Sequence, residues 1–164
     1  MSEAISFCVP GQPMAWKRPG GNGKMRFERK EVTSQKALFV FKAQEKMGDR
    51  EPLMVPIHLF VQATFAIPES WPKWKQDAAL AGHIEHTRKP DSDNLLKLVK
   101  DALNAVVWRD DSYISSCAVE KTFGPVPGVQ VEITPLPKLP SQIERKSAYL
   151  EFLKGDTLFS GAAA

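Results

Sequence analysis

The sequence predicts an α/β chain of the mixed α+β kind, with a small mixed sheet of about four strands, two main helices packed with it and an additional C-terminal helix. Two observations lead to this prediction. Four short segments have the alternation or the β-branched composition of strands, and one segment between them has strong helical periodicity. Proline and glycine clusters separate these segments. The strands are expected at residues 4–9, 53–67, 113–123 and 128–134, and the first main helix at residues 34–47.

The second expected strand has the clearest alternation. Apolar residues occupy every second position and several of their neighbours are polar, which is typical of a strand packed mainly on one face. The alternating positions are Val55, Ile57, Leu59, Val61, Ala63 and Phe65. The first helix has a weaker pattern, and its partly apolar face is expected to consist of Ala37, Leu38, Phe41 and Glu45.

Residues 67–89 form an insert that is expected to contain a short helix. Ser70 is the expected N-cap, and Trp71 and Trp74 are expected to pack against the domain and not to stack on DNA bases. His83 and His86 lie three residues apart near the end of the insert. Because Mg²⁺ sites favour oxygen ligands, these histidines are not expected to bind the metal.

The strongest helical pattern follows Pro90, with Asp93 or Asn94 as the expected N-cap. Its apolar residues recur at intervals of three and four, so they form a single stripe that should face the core. This stripe consists of Leu95, Leu98, Val99, Ala102, Leu103 and Val106. The opposite face carries Lys97, Lys100, Asp101 and Asn104.

Two acidic pairs flank this second main helix: Asp91 with Asp93 before it, and Asp110 with Asp111 after it. Carboxylate oxygens are the hard ligands that Mg²⁺ prefers, and acids that converge from separate segments leave coordination positions for phosphate and water. The pattern predicts a divalent-metal site that acts on a phosphodiester, with Lys97 one helical turn beyond Asp93. The alternative is that one Asp caps the helix and the other acids are merely solvated. Capping needs a single Asp, so the redundancy of acids favours the metal site.

The segment from Trp16 to Lys30 is strongly basic and predicts contacts to DNA phosphates. It contains six lysines and arginines and one acid, Glu28. Clustered positive charge is the footprint of nucleic-acid binding, although such a segment can also be a solvated hairpin. Its glycine spacing fits neither common nucleotide-binding motif, so no nucleotide cofactor is expected. The expected DNA contacts are Lys17, Arg18, Arg26, Arg29 and Lys30, with Lys121 on a later strand as a further candidate.

Composition agrees with a single soluble domain. The chain has 164 residues, a net charge of +3, 43% hydrophobic residues and 25% charged residues, which is ordinary for a globular protein. No apolar run approaches the length of a membrane span. The first residues lack a hydrophobic signal sequence, and Cys8 and Cys117 are far apart, which favours a cytoplasmic protein with buried free thiols.

The stretch PDSDNLLKLVKDALN, followed by WRDDS, closely resembles the RusA family of Holliday junction resolvases, endonucleases of bacteria and their phages that cut four-way DNA junctions. The shared signature is D-x-D-N, a lysine three residues after the Asn, D-A-L, and a hydrophobic-aromatic stretch that ends in D-D. A looser resemblance of pattern extends from Phe7 to Thr134. Residues 1–134 are therefore expected to form the nuclease domain, and residues 135–164 a proline-rich linker with a helical tail.

The resemblance implies specific roles for the residues of the motif. Asp91, Asp93 and Asp111 would be the metal ligands and catalytic acids, and Lys97 would be the catalytic lysine. Asp110 is a weaker candidate for the third acid. The family also implies Mg²⁺, for which Mn²⁺ can substitute, together with a homodimer that acts on branched DNA in recombination and repair, in the cytoplasm of a bacterium or of a phage-infected cell.

Two other functions fit the residues as well. One is a metal-dependent nuclease of wider specificity that cuts flaps or other branched DNA. The other is a non-catalytic, structure-specific DNA-binding module whose acids only cap a helix. Metal-dependent cleavage separates this last function from the two nucleases.

Overall fold

The structure, a computed structural model, describes residues 4–16 and 30–136 together with residue 150. These ranges contain four strands, three α-helices and one short 3₁₀ turn. In chain order the elements are β1 (Ile5–Pro10), α1 (Lys30–Met47), β2 (Ile57–Ala66), α2 (Lys73–Leu80), α3 (Ser92–Leu103), the 3₁₀ turn (Asp111–Tyr113), β3 (Ile114–Gly124) and β4 (Gly128–Pro135). The predicted mixed α+β class is confirmed.

The four strands form one mixed sheet in the order β1-β4-β2-β3. Strand β4 pairs antiparallel with both β1 and β2, whereas β2 and β3 run parallel. Parallel neighbours need a long crossover connection, and the segment containing α2 and α3 provides it. This crossover places α3 next to β3, so both flanks of the motif helix are held near one edge of the sheet.

Strand β2 lies in the interior of the sheet and has the predicted alternation. Its residues Ile57, Leu59, Val61, Ala63 and Phe65 are buried, and those between them are only partly so. The strand begins at Ile57 and not at residue 53 as expected, because the chain around Leu53 pairs elsewhere. The backbone N–H of Leu53 donates to the carbonyl of Val107, just after α3.

Helix α3 has the predicted apolar stripe. Leu95, Leu98, Val99, Ala102 and Leu103 are all buried. The helix ends at Leu103, so Val106 belongs to the following turn, where it is partly buried against the same core. Helix α1 contacts both α3 and β1, and the inward side chains of these elements form one core with the sheet. Such packing fixes the rotation of α3 and therefore the direction of its polar face.

The predicted apolar face of α1 is wrong. The helix begins at Lys30, and the buried face consists of Val32, Gln35, Phe39, Ala43 and Met47. Leu38 and Phe41 of the predicted face are 45% and 61% exposed. Apolar residues occur on more than one side of this helix, so its periodicity does not select a face. Polar Gln35 is buried with its Nε2 donating to the carbonyl of Gln12 at 3.3 Å, while its Oε1 has no hydrogen-bond partner among the described residues.

Three further expectations are corrected. The N-cap of α2 is Pro72 and not Ser70, and Trp74 is 70% exposed, while Trp71 packs edge-on against Phe123. The two cysteines are free as predicted, but both are exposed. Cys8 lies on the outward side of β1 because the neighbouring Phe7 and Val9 point into the core.

No helix in the described ranges is long and apolar enough to cross a membrane. Apart from residue 150, the predicted C-terminal helix lies outside the described residues, as does most of the proline-rich linker. The division of the chain at residue 134 therefore stays a prediction.

Candidate active site

The candidate site is built around the two ends of α3. At its N-terminal end Asp91 occupies the N-cap position with an extended backbone, but its side chain makes no capping hydrogen bond. The backbone N–H of Leu95 donates to the Asp91 carbonyl and closes the first helical turn. The predicted N-cap, Asp93 or Asn94, is wrong because the helix already begins at Ser92. The Asp91 carboxylate is not consumed by capping.

The segment that leads into α3 is held by a cation from the sheet. Lys121 on β3 donates from its ammonium to the carbonyl of Arg88 at 2.9 Å and to that of Pro90 at 3.1 Å. Pro90 directly precedes Asp91. Lys121 was predicted to contact DNA, and that contact stays a prediction, but the structure shows its ammonium engaged by the protein backbone.

At the other end of α3 the chain turns so that Trp108 is fully buried. Its indole Nε1 donates to Oδ1 of Asp111 at 2.9 Å. The second oxygen, Oδ2, lies 3.9 Å from the ammonium of Lys100 on α3. A buried ring and a charged side chain therefore orient the Asp111 carboxylate. Trp108 appeared in the sequence only as part of an apolar-aromatic stretch, and its role in holding an acid was not predicted.

Asp110 has a different environment from Asp111. It caps the 3₁₀ turn, and its Oδ1 accepts a hydrogen bond from the backbone N–H of Ser112 at 2.9 Å. Hydrogen bonding from the side chain and backbone of Ser112 lowers the pKa of Asp110. The geometry favours Asp111 as the acid available to a metal, because Asp110 is used for capping.

Asp93 and Asp111 face the same shallow pocket although they are 18 positions apart in the chain. This pocket has a volume of about 360 Å³, and its lining residues are Asp93, Leu96, Lys97, Lys100, Asp101 and Asp111. Asp91 lines a different pocket of about 430 Å³, together with Pro13, Met14, Ala15, Lys89, Pro90 and Asn94. The structure brings two of the three predicted acids and Lys97 to one pocket, and it places Asp91 beside a second one.

Lys97 lies against an aromatic ring from the N-terminal part of the chain. Its Nζ is 3.6 Å from the ring centroid of Trp16, within the range of a cation–π interaction. The backbone N–H of Trp16 also donates to the carbonyl of Asn94 in the first turn of α3, at 2.9 Å. Trp16 was not predicted as part of the site, although its position directly before the basic residues was a possible signal.

The predicted DNA contacts are mostly not described by the structure. Lys17, Arg18, Arg26 and Arg29 lie outside the described residues, and Lys30 is the exposed first residue of α1. What the structure does show is the starting point of the basic segment, because Trp16 is attached to α3. Trp16 therefore contacts Lys97, one of the residues that line the acidic pocket.

The donor chemistry of the pocket fits a magnesium ion. Within residues 4–16 and 30–136, no group of three or more His, Cys, Asp or Glu side chains is close enough to hold a metal ion unaided. Mg²⁺ commonly uses one or two carboxylates and completes its shell with water and substrate phosphate. Asp93 and Asp111 supply two carboxylates on one pocket, while Lys97 and Lys100 supply positive charge for a phosphate.

The second histidine of the insert, His86, packs among aromatic rings. His86 is only 8% exposed, and its ring stacks on Phe65 with a centroid distance of 3.8 Å. Phe123 contacts the same imidazole at 4.9 Å. Burial lowers the pKa of His86, and the nearby charge of Lys121 lowers it further. The described environment of His86 is an aromatic cluster, which agrees with leaving it out of the predicted metal site.

Comparison with known proteins connects this geometry to a family. The family model described as endodeoxyribonuclease RusA matches residues 10–134, which include both ends of α3 and all four candidate residues of the site. An uncharacterized protein of Bacillus subtilis (strain 168), YqaN, is 32% identical over 136 residues, covering 80% of this chain and 96% of the relative. The matched region is most of the chain and contains the motif on which the sequence resemblance rested. The chain therefore belongs to the RusA family of endodeoxyribonucleases.

Proposed function

We propose that the protein is a Mg²⁺-dependent endodeoxyribonuclease that resolves four-way DNA junctions by paired phosphodiester hydrolysis, in recombination and repair of DNA in the bacterial cytoplasm. The observation that carries the proposal is the shared pocket of Asp93 and Asp111, which brings acids from both ends of α3 beside Lys97 and Lys100. Family membership supports an endonuclease of this class.

In this proposal Asp93 and Asp111 hold the metal, and Asp91 completes the set of acids from the neighbouring pocket. Bound Mg²⁺ would neutralise negative charge on the phosphate oxygens and lower the pKa of a coordinated water, and Mn²⁺ would serve the same purpose. Lys97 would stabilise the charge that grows on the phosphate during attack. Trp16 would keep the Lys97 ammonium in place through its ring. No side chain is required as a covalent nucleophile.

DNA binding and symmetry form the second part of the proposal. The basic segment, with Lys17, Arg18, Arg26, Arg29 and Lys30, would contact backbone phosphates without reading sequence. A four-way junction offers two cleavable strands related by a dyad, so two copies of the chain related by two-fold symmetry would match it. We therefore propose a homodimer, which the mass of the purified protein in solution would test directly.

The test uses a synthetic four-way junction and a linear duplex of the same sequence, each incubated with the protein in Mg²⁺ or in EDTA. Paired nicks in the junction alone, and only with Mg²⁺, are expected. Equal cutting of both DNAs would instead indicate a nuclease of wider specificity. Tight binding to the junction with no cutting under any metal condition would overturn the proposal in favour of a DNA-binding module.

The matched variant is Asp93→Asn, which keeps the size of the side chain and removes its charge. Cleavage is expected to be lost while junction binding in EDTA is retained. Asp77→Asn is the control, since Asp77 lies on α2, where it pairs with Lys73. Full activity of Asp93→Asn would contradict the assignment of this acid.

A further inference from the structure

Residues 84–90, which lead from the insert into α3, have few backbone attachments of their own. Among the described residues, this stretch takes part in no backbone-to-backbone hydrogen bond. The last such contact before it is the N–H of His83 to the carbonyl of Ala78, and the next is the N–H of Leu95 to the carbonyl of Asp91. The path of the chain just before Asp91 must therefore be fixed by side chains.

Two side-chain contacts hold this stretch, and both involve β3. His86 packs its ring on Phe123 of β3 and on Phe65 of the neighbouring strand. Closer to the acids, Lys121 donates to the carbonyls of Arg88 and Pro90, the residues on either side of Lys89. An ammonium has three donors and no acceptor, so it can bridge two carbonyl oxygens and still bind water. Hydrogen bonds from a charged donor are stronger than neutral ones.

We propose that Lys121 is a positioning residue that holds the backbone before Asp91 and thereby sets the place of the Asp91 carboxylate relative to the metal-binding pocket. The part of this inference that concerns the metal rests on the proposed function, whereas the contact of Lys121 with the backbone does not. It also changes the role predicted for this lysine. A DNA phosphate could replace the carbonyls of Arg88 and Pro90 as the hydrogen-bond partner of this ammonium. The loss of those two hydrogen bonds would release the segment that leads to Asp91.

A positioning role has a distinct set of consequences. Without the Lys121 ammonium, the backbone of residues 88–90 loses its hydrogen bonds to β3, while the His86 ring stays on Phe123 and the core of α3 remains packed. The acids of the site would then be less well ordered for the metal, and the phosphate contacts of the basic segment would be unaffected. Partners that orient metal ligands typically change metal affinity by about 10- to 100-fold when they are removed.

The test compares Lys121→Met, Lys121→Arg and the control Lys46→Met in the full-length protein. Methionine keeps the apolar stem and removes the donors, whereas arginine can still donate to two carbonyls. Lys46→Met removes one positive charge from the last turn of α1, and Lys46 lines neither of the two pockets that contain the acids. The readouts are hydrogen exchange without metal of the Leu95 amide, which donates to the Asp91 carbonyl, together with Mn²⁺ binding measured by titration and junction affinity in EDTA.

For Lys121→Met we expect faster exchange of the Leu95 amide and Mn²⁺ binding weakened by about tenfold, with junction affinity equal to that of Lys46→Met. Lys121→Arg is expected to restore exchange and most of the Mn²⁺ affinity. Weaker junction binding with unchanged exchange and unchanged Mn²⁺ binding would overturn the proposal and identify Lys121 as a DNA contact. Unchanged values in all three measurements would overturn it as well.

Two provisions keep the outcomes separate. If Lys121→Met fails to fold, Lys121→Gln replaces it, since an amide supplies donors without the charge and should give an intermediate exchange rate. An exchange rate for Lys121→Gln equal to that of the unsubstituted protein would contradict the need for the ammonium. Failure of the proposed nuclease function would appear differently, as absent Mn²⁺ binding in the unsubstituted protein, while the exchange comparison would still decide whether Lys121 holds the segment.

Discussion

The two ends of α3 each carry an acidic pair, but they position their acids by different means. After the helix, the side chain of Asp111 is itself held, by the indole of buried Trp108 on one oxygen and by Lys100 near the other. Before the helix, the Asp91 side chain makes no capping hydrogen bond, and it is the preceding backbone that is held, by Lys121. One acid is oriented directly, and the other only through the path of its chain.

This difference affects how each carboxylate can bind a metal ion. A ligand whose carboxylate is hydrogen-bonded has a fixed direction before the metal arrives, which reduces the ordering that binding must impose. A ligand held only through its backbone keeps rotational freedom and can adjust to the metal and the substrate together. We expect loss of the Asp111 carboxylate to have the largest effect on metal binding, and loss of the contacts that position either acid to weaken binding without abolishing it.

The largest effect should come from removing the charge of the oriented acid. Asp111→Asn is expected to lower the rate of junction cleavage by at least about 100-fold, since a metal ligand contributes several kcal/mol to stabilising the transition state. Asp110→Asn should retain most of the activity, because Asp110 caps the 3₁₀ turn through Ser112. Cleavage rates at saturating Mg²⁺ check both variants. The reverse order of sensitivity would make Asp110 the ligand.

A smaller effect is expected from the residue that orients Asp111. Trp108→Phe keeps an aromatic ring in the core and removes the indole donor, so cleavage should fall by about 10- to 100-fold at limiting Mg²⁺. The loss should diminish as Mg²⁺ is raised, since the carboxylate itself remains. The thermal midpoint must be measured alongside, and Phe39→Leu provides a control for altering a large, fully buried side chain elsewhere. An equal loss of activity in that control would indicate a general packing effect.

The smallest effect concerns pH and the aromatic cluster before α3. Burial lowers the pKa of His86 in the folded chain, so the unfolded chain binds more protons as the pH falls below about 6.5. The stability contributed by neutral His86 is present above that pH and is lost as the pH falls through the folded-state value. Lys121 and Arg88 act in the same direction, because their positive charges disfavour the imidazolium.

We therefore expect the thermal midpoint to drop between pH 7.5 and pH 5.5, and to drop less in His86→Phe. His83→Gln is the matched control, since His83 is exposed and its replacement should leave the pH dependence unchanged. Hydrogen exchange should show the loss at the Leu95 amide, which donates to the Asp91 carbonyl, and not at the Trp108 end. If His86→Phe and the unsubstituted protein have the same pH dependence of the thermal midpoint, His86 is not the source of that dependence.

The predictions from sequence succeeded where one local pattern determined the outcome. The stripe of α3 is unambiguous because its apolar residues share one face, and the alternation of β2 is equally clear. Helix α1 has apolar residues on several sides, so which of Leu38 and Phe39 is buried depends on the neighbouring elements. Only the fold decides that Phe39 faces the core.

The contacts that organise the site were less accessible from sequence. Lys121 is separated from its carbonyl partners by more than 30 residues, and carbonyls carry no side-chain signal. The motif predicted which acids flank the helix. The hydrogen bond from Trp108 to Asp111 depends on the turn after α3, whose conformation the motif does not specify. The sharing of one pocket by Asp93 and Asp111 likewise depends on the rotation of α3 in the core.

The attachment of Trp16 to α3 makes the basic side of the pocket depend on a residue far from the motif in sequence. Its backbone N–H donates to the carbonyl of Asn94, and its ring lies over the Lys97 ammonium. A substitution that removes this ring would therefore disturb the cation of the pocket while leaving every acid of the motif in the sequence.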